Sequence, residues 1–211
     1  MVAIKALAVF LAGLRSSGAF IKPAVWSVEA IPKICSSSAP IENSSTVGVR
    51  FRPARTEEEG EIRRRMFAMM MNPLSIDARN FICAEEEEGG LMVGFGQVKA
   101  IAGSNFELSS IYVSETHRRR GIGSNVVRNL VKNFVVTHGS SQLDRLYLLT
   151  LGGNVGFYEK LGFEVIAFKD TPAAINAERV VGSFLQFFSG NSCVCMKANR
   201  ALASLKCGFE A

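Results

Sequence analysis

The chain has 211 residues, 48% of them apolar and 20% charged, a balance that supports a sizeable core and excludes a disordered chain. Its formal charge of +5 comes without a recurring basic stripe or interleaved aromatics, which speaks against nucleic acid as a partner. Five scattered cysteines (Cys35, Cys83, Cys193, Cys195, Cys207) make no CxxC or Cys/His spacing, so structural zinc and a disulfide framework are excluded and buried thiols are expected.

The first 45 residues stand apart. Lys5 precedes an apolar run from Ala6 to Leu14, too short for a bilayer but sufficient for a signal-peptide core, and Ser17-Gly18-Ala19 follows as a small-residue site. The next stretch is rich in serine and proline and poor in acids. A signal-like start followed by such a segment resembles the two-part plastid address of algae with complex plastids; a disordered extension or a mitochondrial presequence is the alternative. The expected domain covers residues 46–198, with a tail over 199–211.

VGVRFRPA (47–54) alternates as a first strand does. Thr56 and Glu59 have the spacing of a capping box for a helix ending near Pro73. FICAE (81–85) and LMVGFGQVKAIA (91–102) read as a hairpin, and FELSSIYV (106–113) as a third strand in that block. HRRRGIGS (117–124) precedes a helix whose apolar residues Val126, Val127, Leu130, Val131, Phe134 and Val135 form one stripe. RLYLLTL (145–151) suits a central strand, NVGFYEKLG a short helix ended by Gly162, and FEVIAFKD (163–170) a strand. A helix over PAAINAERVVGSFLQFF (172–188) and a strand CVCMKA (193–198) close the order, with Cys193 and Cys195 pointing the same way.

Strand, basic glycine turn, helix is an arrangement that holds anions. Helix N-termini carry orphan N–H donors and partial positive charge, and glycine lets a ligand approach the backbone closely. No lysine follows the last glycine, which excludes a Walker loop, and Val126 stands where a dinucleotide fingerprint requires its third glycine. A solvated charge run is the bland alternative. RRRGIG at 118–123, after LSSIYV and followed by FYEKLGFEV at 157–165, resembles the GCN5-related N-acetyltransferase (GNAT) superfamily over residues 47–197.

The resemblance implies an α/β (α+β) acyl-CoA N-acyltransferase fold, a mixed central sheet flanked by helices. It implies acetyl-CoA as co-substrate, with no metal. Arg118 would open the phosphate motif. Arg119, Arg120, Gly121, Ile122, Gly123 and Ser124 would cradle the pyrophosphate, while Ile111, Tyr112 and Val113 would offer backbone groups to the pantetheine arm. Tyr158 corresponds to the family's general acid near the coenzyme sulfur, against a packed core tyrosine as the plain reading. Glu107, eleven positions before Arg118, occupies the register of a strand glutamate that serves as base, against a surface glutamate. Asn154 and Phe157 are candidate coenzyme contacts; the family asparagine lies seven positions before the tyrosine, where this chain has Leu151.

His117 is expected beside the phosphate or in solvent, and His138 as a helix-end residue. The acidic runs 56–61 and 85–88 would either attract a cationic acceptor or be solvated, and MMMNPLSI (69–76) would line the acceptor site or pack in the core. The implied activity is direct transfer of acetyl to a primary amine, either a protein N-terminus or lysine, or else a small polyamine or arylalkylamine; a non-catalytic acyl-CoA sensor is the rival class. Neither nucleic acid nor, for the mature protein, a membrane is an expected partner.

Overall fold

A computed structural model of the chain describes residues 48–69, 71, 76–173, 175, 176, 193–199 and 202. The targeting segment (1–45), the tail from 200 onward except Leu202, and most of the helix expected over 172–188 lie outside the described residues. Strands β1 (Val49–Pro53), β2 (Phe81–Glu86), β3 (Met92–Ile101), β4 (Asn105–Val113), β5 (Leu146–Leu151), β6 (Phe163–Val165) and β7 (Cys193–Ala198) form one sheet in the order β1-β2-β3-β4-β5-β7-β6. Helices α1 (Glu59–Ala68), α2 (Ile122–His138) and α3 (Val155–Glu159) flank it. Every neighbouring pair is antiparallel except β4 and β5, which are parallel because α2 carries the chain across between them. This is the mixed α/β architecture that the element order implied.

Alternation along the strands sorts the core into two faces. Ile82, Ala84, Val93, Leu108, Leu146 and Leu148 pack with the apolar stripe of α2. Phe81, Cys83 and Phe95 point the other way, onto Ile62 and Met66 of α1. Further along that second face, Tyr147, Cys195 and Ile175 form a separate small cluster. Gly96 lets α2 settle closely: a Cβ there would lie 2.4 Å from Ile111 Cδ1 and 3.0 Å from both Leu130 Cδ1 and Val126 Cγ1.

Three local expectations are corrected. The first helix is entered one residue early. A 3₁₀ turn at Thr56–Glu58 precedes α1, and the Arg55 N–H donates to Glu58 Oε2 at 2.7 Å, while Glu59 accepts from the Ala78 N–H at 2.9 Å. The strand read over 163–170 stops at Val165, because β6 pairs with β7 only through Phe163, Glu164 and Val165; a 3₁₀ turn follows at Phe168–Asp170. Glu85 is not a solvated turn residue. It is 1% exposed in β2, where Arg50 Nε donates at 2.8 Å and Arg52 Nε at 2.7 Å, and Arg52 also reaches Glu58 at 2.6 Å and 2.9 Å. Of the 69–76 stretch, Met71 and Ile76 pack against the α1 cluster, as the core reading had it.

Candidate active site at the β4–β5 fork

β4 and β5 pair at only two positions, Phe106 with Leu146 and Glu107 with Tyr147. Beyond them the β5-facing edge of β4 has no strand partner among the described residues. A bulge bends this edge: Phe95 pairs with Tyr112 and Gln97 with Ser109, so two steps on β3 oppose three on β4, and Ser110 takes a φ of +58° to absorb the extra residue. A strand edge with free N–H and C=O groups binds any extended chain of matching amides. Ile111 and Tyr112 lie on that edge. The Val113 carbonyl is engaged by Arg118 Nε at 3.1 Å, which removes one of the backbone acceptors read from the sequence.

The chain then passes a 3₁₀ turn at Glu115–His117 and reaches the basic loop. Arg119 has a φ of +63° and Gly121, the residue before α2, a φ of +79°. A non-glycine residue in this region is strained, and such strain concentrates where backbone amides must converge on a ligand. The first intrahelical bond recorded at this end runs from the Asn125 N–H to the Gly121 carbonyl at 3.0 Å, so the amides of Ile122, Gly123 and Ser124 precede the helical ladder. Arg119 and Arg120 are exposed and pair with no acid among the described residues. Arg118 instead lies 3.7 Å from Glu115. The loop thus gathers N–H donors at the start of α2 with two exposed guanidinium groups that pair with no acid among the described residues, a donor set suited to a diphosphate.

Three of the residues named from the sequence meet here. A Cβ at Gly123 would stand 3.5 Å from Val113 Cγ2 and 3.7 Å from the Phe157 ring, so the loop, the end of β4 and α3 converge. Tyr158 follows, its ring 4.8 Å from Phe157 and 6.2 Å from Phe163. It is 9% exposed, and burial alone pushes its phenol up to about 12. The hydroxyl therefore stays protonated throughout the physiological range and has a proton to donate. Asn154 is exposed at the end of a 3₁₀ turn, and its side chain does not cap α3.

Glu107 faces the side away from α2, because its neighbours Phe106 and Leu108 both pack toward that helix. It is 4% exposed rather than a surface residue, and Lys99, its cross-strand partner, holds the carboxylate at 2.9 Å. Tyr158 and Glu107 thus stand on opposite faces of the sheet. The fork between β4 and β5 is where those faces communicate, so a leaving group and an incoming group can be served from opposite sides.

The two histidines have structural partners. His117 Nε2 lies 2.7 Å from Glu86 Oε1 and Nδ1 2.8 Å from Thr116 Oγ1, which ties the base of the loop to the β2 hairpin. His138 ends α2 with its ring against Phe106 and Phe134, and burial lowers its pKa. The Cys83 thiol is buried, which pushes it up to about 12 and leaves it inert. Among the described residues no group of three or more His, Cys, Asp or Glu is placed to hold a metal, and no helix is long and apolar enough to cross a membrane.

Sequence reasoning missed the bulge at Ser110, Lys99 beside Glu107, and the polar pair Gln97–Ser109. Register is the missing information, since which side chains face each other across strands is set by how two separate segments are aligned.

Comparison with known proteins bears on the same region. The acetyltransferase (GNAT) domain model matches residues 77–165, which contain the fork, the basic loop, α2 and α3. No curated protein matches the chain in sequence. Among solved structures, Rv2747 from Mycobacterium tuberculosis, in complex with CoA and a second ligand, is 22% identical with a TM-score of 0.51, covering 71% of this chain and 99% of that one. N-acetylglutamate synthase from Neisseria gonorrhoeae, complexed with coenzyme A and N-acetyl-glutamate, is 15% identical with a TM-score of 0.52, covering 71% of this chain and 34% of that one. At these identities the structures speak to the fold, and the family model speaks to the motifs that the fold brings together at the fork. Residues 77–165 form an acetyltransferase domain of the GNAT type.

Proposed function

We propose that the protein transfers acetyl from acetyl-CoA to a primary amine, directly and within a ternary complex, with a protein N-terminal α-amine or a lysine as first acceptor and a small amine as second. The observation that carries this reading is the junction of three features at one place: the unpaired edge of β4, the strained amide cradle at the start of α2, and Phe157 closing onto Gly123. These residues fit coenzyme A. Arg119, Arg120 and the amides of Ile122, Gly123 and Ser124 would hold its diphosphate. The edge at Ile111 and Tyr112 would hold its amide-bearing arm.

The coenzyme supplies an activated thioester. The chain supplies position and protons. The β4 edge and the loop orient the coenzyme so that an amine entering from the α1 face meets it at the fork, and such placement contributes several kcal/mol to rate. Tyr158, kept neutral by burial, donates its phenolic proton or a hydrogen bond toward the departing sulfur. Glu107, held by Lys99, accepts the amine's proton directly or through water, since an amine of pKa about 10.4 arrives charged.

The test is thiol release from acetyl-CoA against N-terminal peptides, lysine peptides, polyamines and arylalkylamines. Tyr158→Phe should lower kcat about 100-fold on the accepted amine and leave coenzyme A affinity unchanged. Tight coenzyme binding without turnover on any amine refutes the reading. Plastid import is proposed on the composition of residues 1–45; a mature N-terminus near Thr46 in isolated plastids supports it, and an intact Met1 there refutes it.

A further inference from the structure

On the face opposite α2, two apolar clusters are separated by a polar block. The α1 cluster ends at Phe95, and the cluster around Tyr147, Ile175 and Cys195 begins with Ile101 and Leu149. Between them, Gln97 pairs across the sheet with Ser109 and Lys99 with Glu107. Directly opposed residues share a face, so four polar side chains form one patch beside the last paired position of the fork. Apolar residues at Gln97 and Ser109 would have extended the α1 cluster up to the Lys99–Glu107 pair without burying unbonded polar atoms.

The bonding within the patch is incomplete in one respect. Gln97 is 1% exposed, and its Nε2 donates to Ser110 Oγ at 3.0 Å on the bulge. Its Oε1 is buried without a partner, and so is Ser109 Oγ on the facing residue. Buried polar atoms are satisfied in the great majority of cases, and an orphan costs about 1–3 kcal/mol. Here the two orphans sit on cross-strand partners, one pair along from a carboxylate. Both can accept hydrogen bonds, and all three groups offer oxygen rather than N–H, which is the chemistry that receives an ammonium group.

We infer that Gln97 Oε1 and Ser109 Oγ seat the ammonium of the acceptor amine, handing it to the Glu107 side of the fork. The seat rests on the proposed transfer to a primary amine and adds the residues that hold that amine. Lys99 gives the patch its selectivity: it balances the Glu107 charge, so the seat recognises a primary ammonium by hydrogen-bond geometry rather than by bulk negative charge. The bulge positions the seat, because Ser110 in its left-handed conformation accepts from the Gln97 amide and holds that side chain in place.

The test titrates n-butylammonium into the full chain loaded with coenzyme A and measures its dissociation constant by NMR, alongside coenzyme A affinity by calorimetry. Gln97→Leu keeps the side-chain volume and removes the acceptor; Ser109→Ala removes the other and serves where the leucine variant fails to fold. Each should weaken n-butylammonium about tenfold with coenzyme A affinity unchanged, and Gln97→Glu should tighten it. Unchanged n-butylammonium affinity in both truncations overturns the seat, as does no detectable binding to the wild-type loaded protein. Failure of the wild-type chain to bind coenzyme A overturns the proposed function itself and is read separately, from the calorimetry.

Discussion

Gly96→Ala tests how packing under the sheet sets the coenzyme edge. The added methyl would sit 2.4 Å from Ile111 Cδ1 and 3.0 Å from Leu130 Cδ1 and Val126 Cγ1, so it meets the bulged strand on one side and α2 on the other. Overpacking of a filled core costs about 1–3 kcal/mol, and contact on two sides places this case near 2. For a domain of this size that corresponds to a fall in Tm of roughly 4–8 °C. Ile111→Val removes the methyl that clashes. Alone it costs about 1 kcal/mol as a small cavity, but beside Gly96→Ala it relieves the overlap, so the double variant should be no less stable than Gly96→Ala. Because Ile111 follows the bulge residue on the free edge of β4, Gly96→Ala should also weaken coenzyme A several-fold, with Ile111→Val restoring part of the loss. Thermal melts of the four proteins and coenzyme A calorimetry measure both effects. Additive melts, or a Gly96→Ala melt within about 1 °C of wild type, would refute the reasoning.

Reversing both Arg119 and Arg120 to Glu should weaken coenzyme A by about 30-fold at low salt, roughly 2 kcal/mol for two exposed charges, and the difference should shrink as salt rises; calorimetry at two ionic strengths checks it, and an unchanged affinity removes the diphosphate cradle. Glu85→Gln should destabilise the domain by about 3 kcal/mol at pH 7, because Arg50 and Arg52 lose the buried carboxylate between them. Burial opposes ionisation of Glu85, but the Arg52 and Arg50 bonds outweigh it, and Arg52 likewise holds Glu58 below the usual carboxylate range. A depressed folded pKa contributes stability above the unfolded value of about 4.3, which is lost as pH falls through the folded value. The gap between Glu85→Gln and wild type in denaturant melts should therefore close below pH 4, and a gap constant with pH contradicts the assignment.

Much of the fold was legible because periodicity is local. The stripe Val126–Phe134, the alternation in 47–54 and the Gly162 stop each need only neighbouring residues to be read, and each appears where expected. The basic loop was legible for a related reason: an anion site at a helix start is built from consecutive residues, so charge, glycine and helix onset appear together in the sequence.

What a single chain order cannot carry is which side chains meet across strands. Glu85 reads as one of four acids in a hairpin, yet register sets it between Arg50 and Arg52 and buries it. Glu107 was located by its distance from Arg118, but its ion pair with Lys99 depends on a β3–β4 register that the bulge at Ser110 shifts farther along the pair. The same register sets Gln97 against Ser109, each with a buried oxygen that has no partner. The sequence by itself determined the elements, their order and the basic glycine loop at the start of α2, since these follow from contiguous residues. Tertiary structure alone decided which polar side chains meet on the α1 face of β3 and β4, because side-chain direction has a period of two along a strand and the pairing register that matches two segments cannot be read from either one.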